Sequence, residues 1–301
     1  MRNVLTIEAG KRFSFWRTVF SHGWCALPPF YVDKADRSLS RVLRLENGRT
    51  VLLRMEEVPG GIRVSSPGSV KCDARFRKDA GRQIADCFRI GEDFSDFYRE
   101  ARRLTGYRWI ARSGAGRLLR APTVFEDVVK MICTTNCSWA LTEIMVGNLC
   151  AKLGEEAEGG RFAFPTARAI ARSGEAYLRK EIKTGYRSPY LLEFARRVDR
   201  GEIDPESWRS SHLPTDELFA QVKDVKGIGP YAAGNIMKLL GRYDYLGIDS
   251  WCRAKFFELH RNGRKGPDRI IERFYEPLGK WRGLFFWLDV TKEWYRQKFP
   301  F

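Results

Sequence analysis

Two short segments of this 301-residue chain bring together residue types that can do chemistry. The first is Val222-Lys-Asp-Val-Lys226-Gly227-Ile-Gly229-Pro-Tyr231. A helix is predicted to end near Val225, and Gly227-Ile228-Gly229 to make a tight turn. Pro230 then takes the first position of a new helix, where its missing N–H costs nothing. Backbone N–H groups at such a helix start suit an anion, and glycines let it come close. A phosphate fits, and Lys226 adds positive charge. The same residues also read as an ordinary helix–loop–helix turn. The second segment is Gly247-Ile-Asp249-Ser-Trp-Cys-Arg253. Asp249 lies between an apolar stretch and a helix-forming one, where it suits a helix N-cap. N–H donors at a cap keep a carboxylate ionised. Such a carboxylate can stabilise positive charge developing on a substrate, so cap and catalyst are compatible readings of Asp249.

Other chemistries find less support. The three histidines, His22, His212 and His260, lack metal-ligand spacing, and no metal site is expected. The seven cysteines are scattered and contain no C-x-x-C pair, so they read as small hydrophobes in a reducing compartment. The net charge of +16 favours encounter with a polyanion, and nucleic acid is the obvious one. No apolar run is long enough to span a bilayer, and the N-terminus lacks the apolar core of a secretion signal. A cytoplasmic, nucleoid-associated place in a bacterial cell is therefore expected.

These residues need elements to hold them. The first ninety or so residues read as β-rich. Ser40 to Met55 alternates apolar and polar on both sides of Asn47-Gly48, a hairpin dipeptide, and Pro59-Gly60-Gly61 marks the next turn before the strand at Ile62. From about Arg77 the pattern is helical. Ser95 or Asp96 is placed to cap one helix, and Thr123 with Glu126 has capping-box spacing. Helices are predicted near 140–153, 165–171, 176–182, 189–200, 215–222, 230–240, 250–260 and 267–275, with a buried aromatic helix from Trp281 to Tyr295. The expected fold class is α+β: an N-terminal antiparallel β domain over 1–92, then an all-α domain over 93–301 with its hairpin at about 215–240.

Taken together, four segments resemble the helix-hairpin-helix DNA glycosylases, with the bacterial 3-methyladenine glycosylase II and the 8-oxoguanine glycosylases most similar. They are Gly227-Ile-Gly-Pro-Tyr-Ala-Ala-Gly, the Asp249 segment, Met131-Ile-Cys-Thr-Thr-Asn136-Cys-Ser-Trp139 and Gly185-Tyr186-Arg187-Ser-Pro-Tyr190. The resemblance covers roughly residues 90 to 300. It implies double-stranded DNA containing a modified base as partner, and flipping of that base from the stack. Asn136 would fill the hole left behind, Tyr186 would wedge into the opposite strand, and Arg187 would face the widowed base. Asn136 also reads as a helix N-cap, and Tyr186 as a partly buried loop aromatic. Asp249 would be the catalytic carboxylate, with Lys226, Gly227 and Gly229 on the DNA backbone.

Family members that also nick the backbone carry a lysine two residues after the second hairpin glycine, where it forms a Schiff base. Here that residue is Tyr231, whose phenol cannot form an imine. The expected activity is therefore monofunctional: water attacks and an abasic site remains. Lys226 and Lys238 are the nearest other amines. Tyr231 and Trp139 are candidates for the base pocket, where a ring can stack on an electron-poor base. No cofactor is expected; four clustered cysteines after the catalytic domain, which hold an iron–sulfur cluster in some members, are missing. The hairpin has room for a monovalent cation, and the protein is expected to act as a monomer. Two other readings stand beside this one: the same chemistry on enzymatically modified bases of phage DNA, as a defence, and a non-catalytic helix-hairpin-helix DNA-binding protein.

Overall fold

A computed structural model of the chain describes residues 2–10, 12–68 and 72–295. Strands β1 (Arg2–Glu8), β2 (Phe30–Asp33), β3 (Ser38–Arg44), β4 (Thr50–Val58) and β5 (Gly61–Ser66) form one antiparallel sheet in the order β1-β5-β4-β3-β2. The β3–β4 hairpin turns at Asn47-Gly48, with Gly48 at φ +83°. Opposed residues Leu39 and Met55, Arg41 and Leu53, and Leu43 and Val51 share one face of the pleat. All six are buried.

The helices are α1 (Phe15–Val19), α2 (Ala74–Phe88), α3 (Ser95–Arg103), α4 (Arg108–Ser113), α5 (Val124–Thr134), α6 (Trp139–Leu153), α7 (Ala167–Ser173), α8 (Glu175–Lys180), α9 (Ser188–Asp199), α10 (Thr215–Lys223), α11 (Pro230–Leu240), α12 (Ser250–Arg261), α13 (Arg269–Tyr275) and α14 (Arg282–Val290). The α+β class is the expected one. No helix among the described residues is long and apolar enough to cross a membrane.

The chain divides into two compact units, one of residues 1–92 with 117–206, the other of 93–116 with 207–301. The position 92/93, expected from composition to end a β domain, is an edge of both. The helices are nonetheless shared out, and α5 to α9 go with the sheet. In that unit the buried Arg41 of β3 reaches Glu126 of α5 at 2.5 Å, and Lys130 reaches the same carboxylate at 2.7 Å. Burial alone would raise the Glu126 carboxyl, but Arg41 and Lys130 hold it below its ordinary range. Glu126 therefore does not complete the capping box its spacing suggested. Thr123 accepts from the Glu126 N–H at 3.3 Å, and Glu206 takes the Val124 and Phe125 N–H groups at 2.8 and 2.9 Å.

The other unit packs around Phe94, Phe97, Tyr243, Trp281 and Phe285, whose rings touch one another. Neither Ser95 nor Asp96 caps α3. Its cap position is Phe94, and Asp93 accepts from the Ser95 N–H at 2.8 Å. The predicted C-terminal helix is shorter than its aromatic pattern. It ends at Val290, and Lys292–Tyr295 form a 3-10 turn. Asp289 near its end accepts from Tyr275 at 2.6 Å, His260 at 2.7 Å and Tyr107 at 3.3 Å, tying α12 and α13 to α14.

Replacing Glu126 by Gln leaves two buried cations without their shared counter-charge. The expected loss of stability is about 3–5 kcal/mol, read from the midpoint of denaturant unfolding, with the secondary structure unchanged in water.

Candidate functional site

The hairpin of the second unit forms as its sequence predicts. Gly227 takes φ +88°, a conformation that needs glycine, and the Ile228 N–H returns to the Val225 carbonyl at 3.0 Å. Gly229 is the N-cap of α11 and Pro230 its first residue. No acidic side chain sits in that first turn and no side chain caps it. The helix start thus keeps its partial positive charge, and Lys226 before it is exposed. A Cβ on Gly229 would meet nothing within 4 Å. The chain's own packing does not demand glycine there.

α11 ends at Gly241, and the chain turns back over Tyr243–Ile248 before α12. Asp249 is the N-cap of α12; its Oδ1 accepts from the Cys252 N–H at 2.6 Å. The carboxylate is half-buried. Burial pushes the Cys252 thiol well above its ordinary range, and the charge of Asp249 adds to that rise. The thiol stays protonated beside the carboxylate and is a hydrogen-bond partner for it.

The turn itself is held by polar side chains of α11. Lys238 Nζ donates to the Leu246 carbonyl at 2.5 Å and to Asn235 Oδ1 at 3.0 Å. Asn235 Nδ2 donates to the Tyr231 carbonyl at 2.9 Å and to the Gly247 carbonyl at 3.3 Å. Gly247 lies at φ +61°, and a Cβ there would come within 2.8 Å of Asn235 Nδ2 and 2.9 Å of Lys238 Nζ. The sequence reading gave neither Asn235 nor Lys238 this task. The signal was present: a lysine among Ile236, Met237, Leu239 and Leu240 must either escape to solvent or find acceptors inside.

Tyr231 is half-buried and faces a cleft of about 540 Å³, lined also by Phe219, Tyr245, Leu246 and Ile248. Charges of both signs, among them Arg269, Glu272 and Arg273, also line it. Asp249 is not among the lining residues.

Three further expected residues meet in the first unit. Asn136 is exposed at φ +46° between α5 and α6. It is not the cap of α6; Ser138 is, accepting from the Leu141 N–H at 3.3 Å. The Tyr186 ring is 46% exposed, and its hydroxyl donates to the Thr135 carbonyl at 3.2 Å and accepts from Asn136 Nδ2 at 3.4 Å. Arg187, by contrast, is only 3% exposed. Its guanidinium donates to the Thr135 carbonyl and lies 4.5 Å from the centre of the Tyr186 ring. In this state Arg187 holds the Asn136 turn, and its fork is not presented to solvent.

Trp139 has a packing partner within its own unit. Its ring lies so close over Gly23 that a Cβ there would fall 2.2 Å from Cη2, and its Nε1 donates to Glu143 at 3.1 Å.

The fold is found among DNA glycosylases. A structure described as MBOgg1 in complex with a low-affinity DNA ligand superposes with a TM-score of 0.76 at 19% identity, covering 97% of this chain and 96% of that one. A 3-methyladenine DNA glycosylase from Archaeoglobus fulgidus gives 0.75 at 21% identity, covering 97% and 99%. The apo form of Clostridium acetobutylicum 8-oxoguanine glycosylase/lyase gives 0.73 at 18% identity, covering 96% and 99%. In sequence, the N-glycosylase/DNA lyase of Saccharomyces cerevisiae (strain ATCC 204508 / S288c) is 30% identical over 135 residues, which cover 40% of this chain and 35% of the yeast protein. No protein-family model matches the chain. The architecture is thus that of the glycosylases the sequence resembles.

Replacing Arg187 by Met removes a charge-assisted bond from the Thr135 carbonyl. A loss of about 1.5–3 kcal/mol is expected on thermal or denaturant unfolding, with faster amide hydrogen exchange around residues 135–138.

Proposed function

We propose that the chain is a monofunctional DNA glycosylase that flips a modified base out of duplex DNA and hydrolyses its N-glycosidic bond. The observation that carries the reading is Asp249, fixed as the N-cap of α12 in a turn hydrogen-bonded to the hairpin helix. As the bond from C1′ to the base breaks, electrons leave with the base and positive charge gathers on the sugar. The Asp249 carboxylate stabilises that charge, and water adds to C1′. The oxygen of water stays on C1′, its released proton neutralises the departing base, and an abasic site remains. The reaction uses water and protein groups and calls on no cofactor.

The hairpin, Lys226, Gly227 and Gly229 take the DNA backbone. Asn136 and Tyr186 enter the stack where the base has left, and Arg187 orders their turn until DNA binds. Tyr231 is the pocket aromatic. Its phenol offers no amine for a Schiff base, while Lys238 is 2% exposed and engaged with carbonyl groups, which supports hydrolysis over lyase chemistry.

The test is a panel of duplexes, each with one modified base, among them 8-oxoguanine opposite cytosine and N-methylated purines. Strand breaks should appear only after hot alkali, and borohydride should trap no covalent complex. Asp249→Asn should bind DNA as the parent does and lose base release by about 10²-fold or more. Intact DNA binding with no release from any duplex would leave a binding protein and overturn the enzyme reading.

A further inference from the structure

The Leu246–Gly247 turn and α11 are joined by side chains for which the proposed chemistry has no direct use. Lys238 is buried in a helix face of aliphatic neighbours, and Asn235 lies one turn before it. Between them they donate to the carbonyls of Leu246, Gly247 and Tyr231. Leu246 and Gly247 immediately precede Ile248 and Asp249, and Tyr231 is the residue in the hairpin's lysine position. The contact has no slack. A Cβ on Gly234 would lie 2.9 Å from Gly247 Cα, so α11 and the turn touch backbone to backbone beside the polar pair.

We propose that Asn235 and Lys238 form a clamp that positions Asp249 for base release. They are positioning residues, since neither needs to touch DNA, and the inference rests on Asp249 being the catalytic carboxylate. The clamp fixes Leu246 and Gly247 near the end of the turn, so it sets where the α12 cap stands relative to Tyr231. Burial pulls the Lys238 ammonium down to about 8, against the upward pull of the Asp249 carboxylate. A lysine held at that cost has acceptors that return it: two at Nζ, one of them the turn itself. The same helix pairs the amine with Asn235 at i−3, where side chains meet. Asn235 is the adaptor, donating to two carbonyls while accepting from the amine.

The experiment compares Asn235→Ala and Lys238→Met with the parent and with Asp249→Asn. Single-turnover base release is measured at saturating enzyme, on whichever duplex of the panel the parent cleaves. Affinity is measured separately on a duplex carrying a stable abasic-site analogue, at a temperature where circular dichroism finds each variant folded. A displacement of the carboxylate by about an ångström predicts a rate loss on the order of a hundredfold, with affinity within about threefold of the parent. Rates within about threefold of the parent in Asn235→Ala would overturn the clamp. So would rate and affinity falling together by one factor, because a merely structural role moves both. If Lys238→Met does not fold, Asn235→Ala, at a less buried position, decides alone. A folded Asp249→Asn that still releases base at the parent's rate would instead remove the catalytic reading on which the clamp rests.

Discussion

A buried amine cannot remain without acceptors, and this constraint organises the region around Asp249. Lys238 sits among aliphatic neighbours of its helix and is only 2% exposed. An unsatisfied donor there would cost about 1–3 kcal/mol, more if charged, so the chain supplies carbonyls. One, from Asn235, lies on the same helix; the other, from Leu246, comes from a turn that passes within backbone contact of the helix, which explains the glycines Gly234 and Gly247. The turn then delivers Asp249 to the start of α12, where a backbone N–H fixes one carboxylate oxygen. Helix, turn and cap are consecutive in the chain, and the start of the turn is also tied to α14, where the Gly283 N–H donates to the Tyr243 carbonyl at 2.7 Å and Arg282 to the Asp244 carbonyl.

The first unit uses the same logic with a different group. Arg187 is a cation taken out of solvent whose Nη2 donates to the Thr135 carbonyl beneath an exposed tyrosine, while its buried Nε has no hydrogen-bond partner among the described residues. The Thr135 carbonyl it holds immediately precedes Asn136, which sits at φ +46°. Deeper in that unit, Arg41 and Lys130 share Glu126, which leaves one positive charge in excess. Phe30 lies 4.2 Å from the Arg41 guanidinium and 5.3 Å from the Lys130 ammonium, so a ring face takes part of the charge.

The sequence disclosed what is local. Asn47-Gly48, the Gly227–Pro230 turn and Asp249 at a helix start are written in residue types that few conformations suit. Helix boundaries from α6 to α13 followed from periodicity and caps to within about two residues, as such boundaries do. What it withheld is long-range. Nothing in the spacing of Thr123 and Glu126 says that Arg41, 85 residues earlier, will claim that glutamate, or that Glu206 will cap the helix in its place. The grouping of α5 to α9 with the sheet has the same origin. Arg187 and Trp139 were readable as residue types but not as environments, because a partner such as the Thr135 carbonyl or Gly23 is chosen by the fold. Lys238 was noticed only as a spare amine; its burial, which gives it meaning, comes from packing.

The cysteines carry one more consequence. None of the seven is in a disulfide, and five are buried. Burial pushes Cys25, Cys133 and Cys150 up to about 12, so almost none of any of these is thiolate at neutral pH. Thiolates are the soft nucleophiles that alkylating agents and oxidants attack first. These buried thiols, Cys252 beside the candidate carboxylate included, offer such electrophiles little to react with, whereas Cys72 and Cys137 are only half-buried.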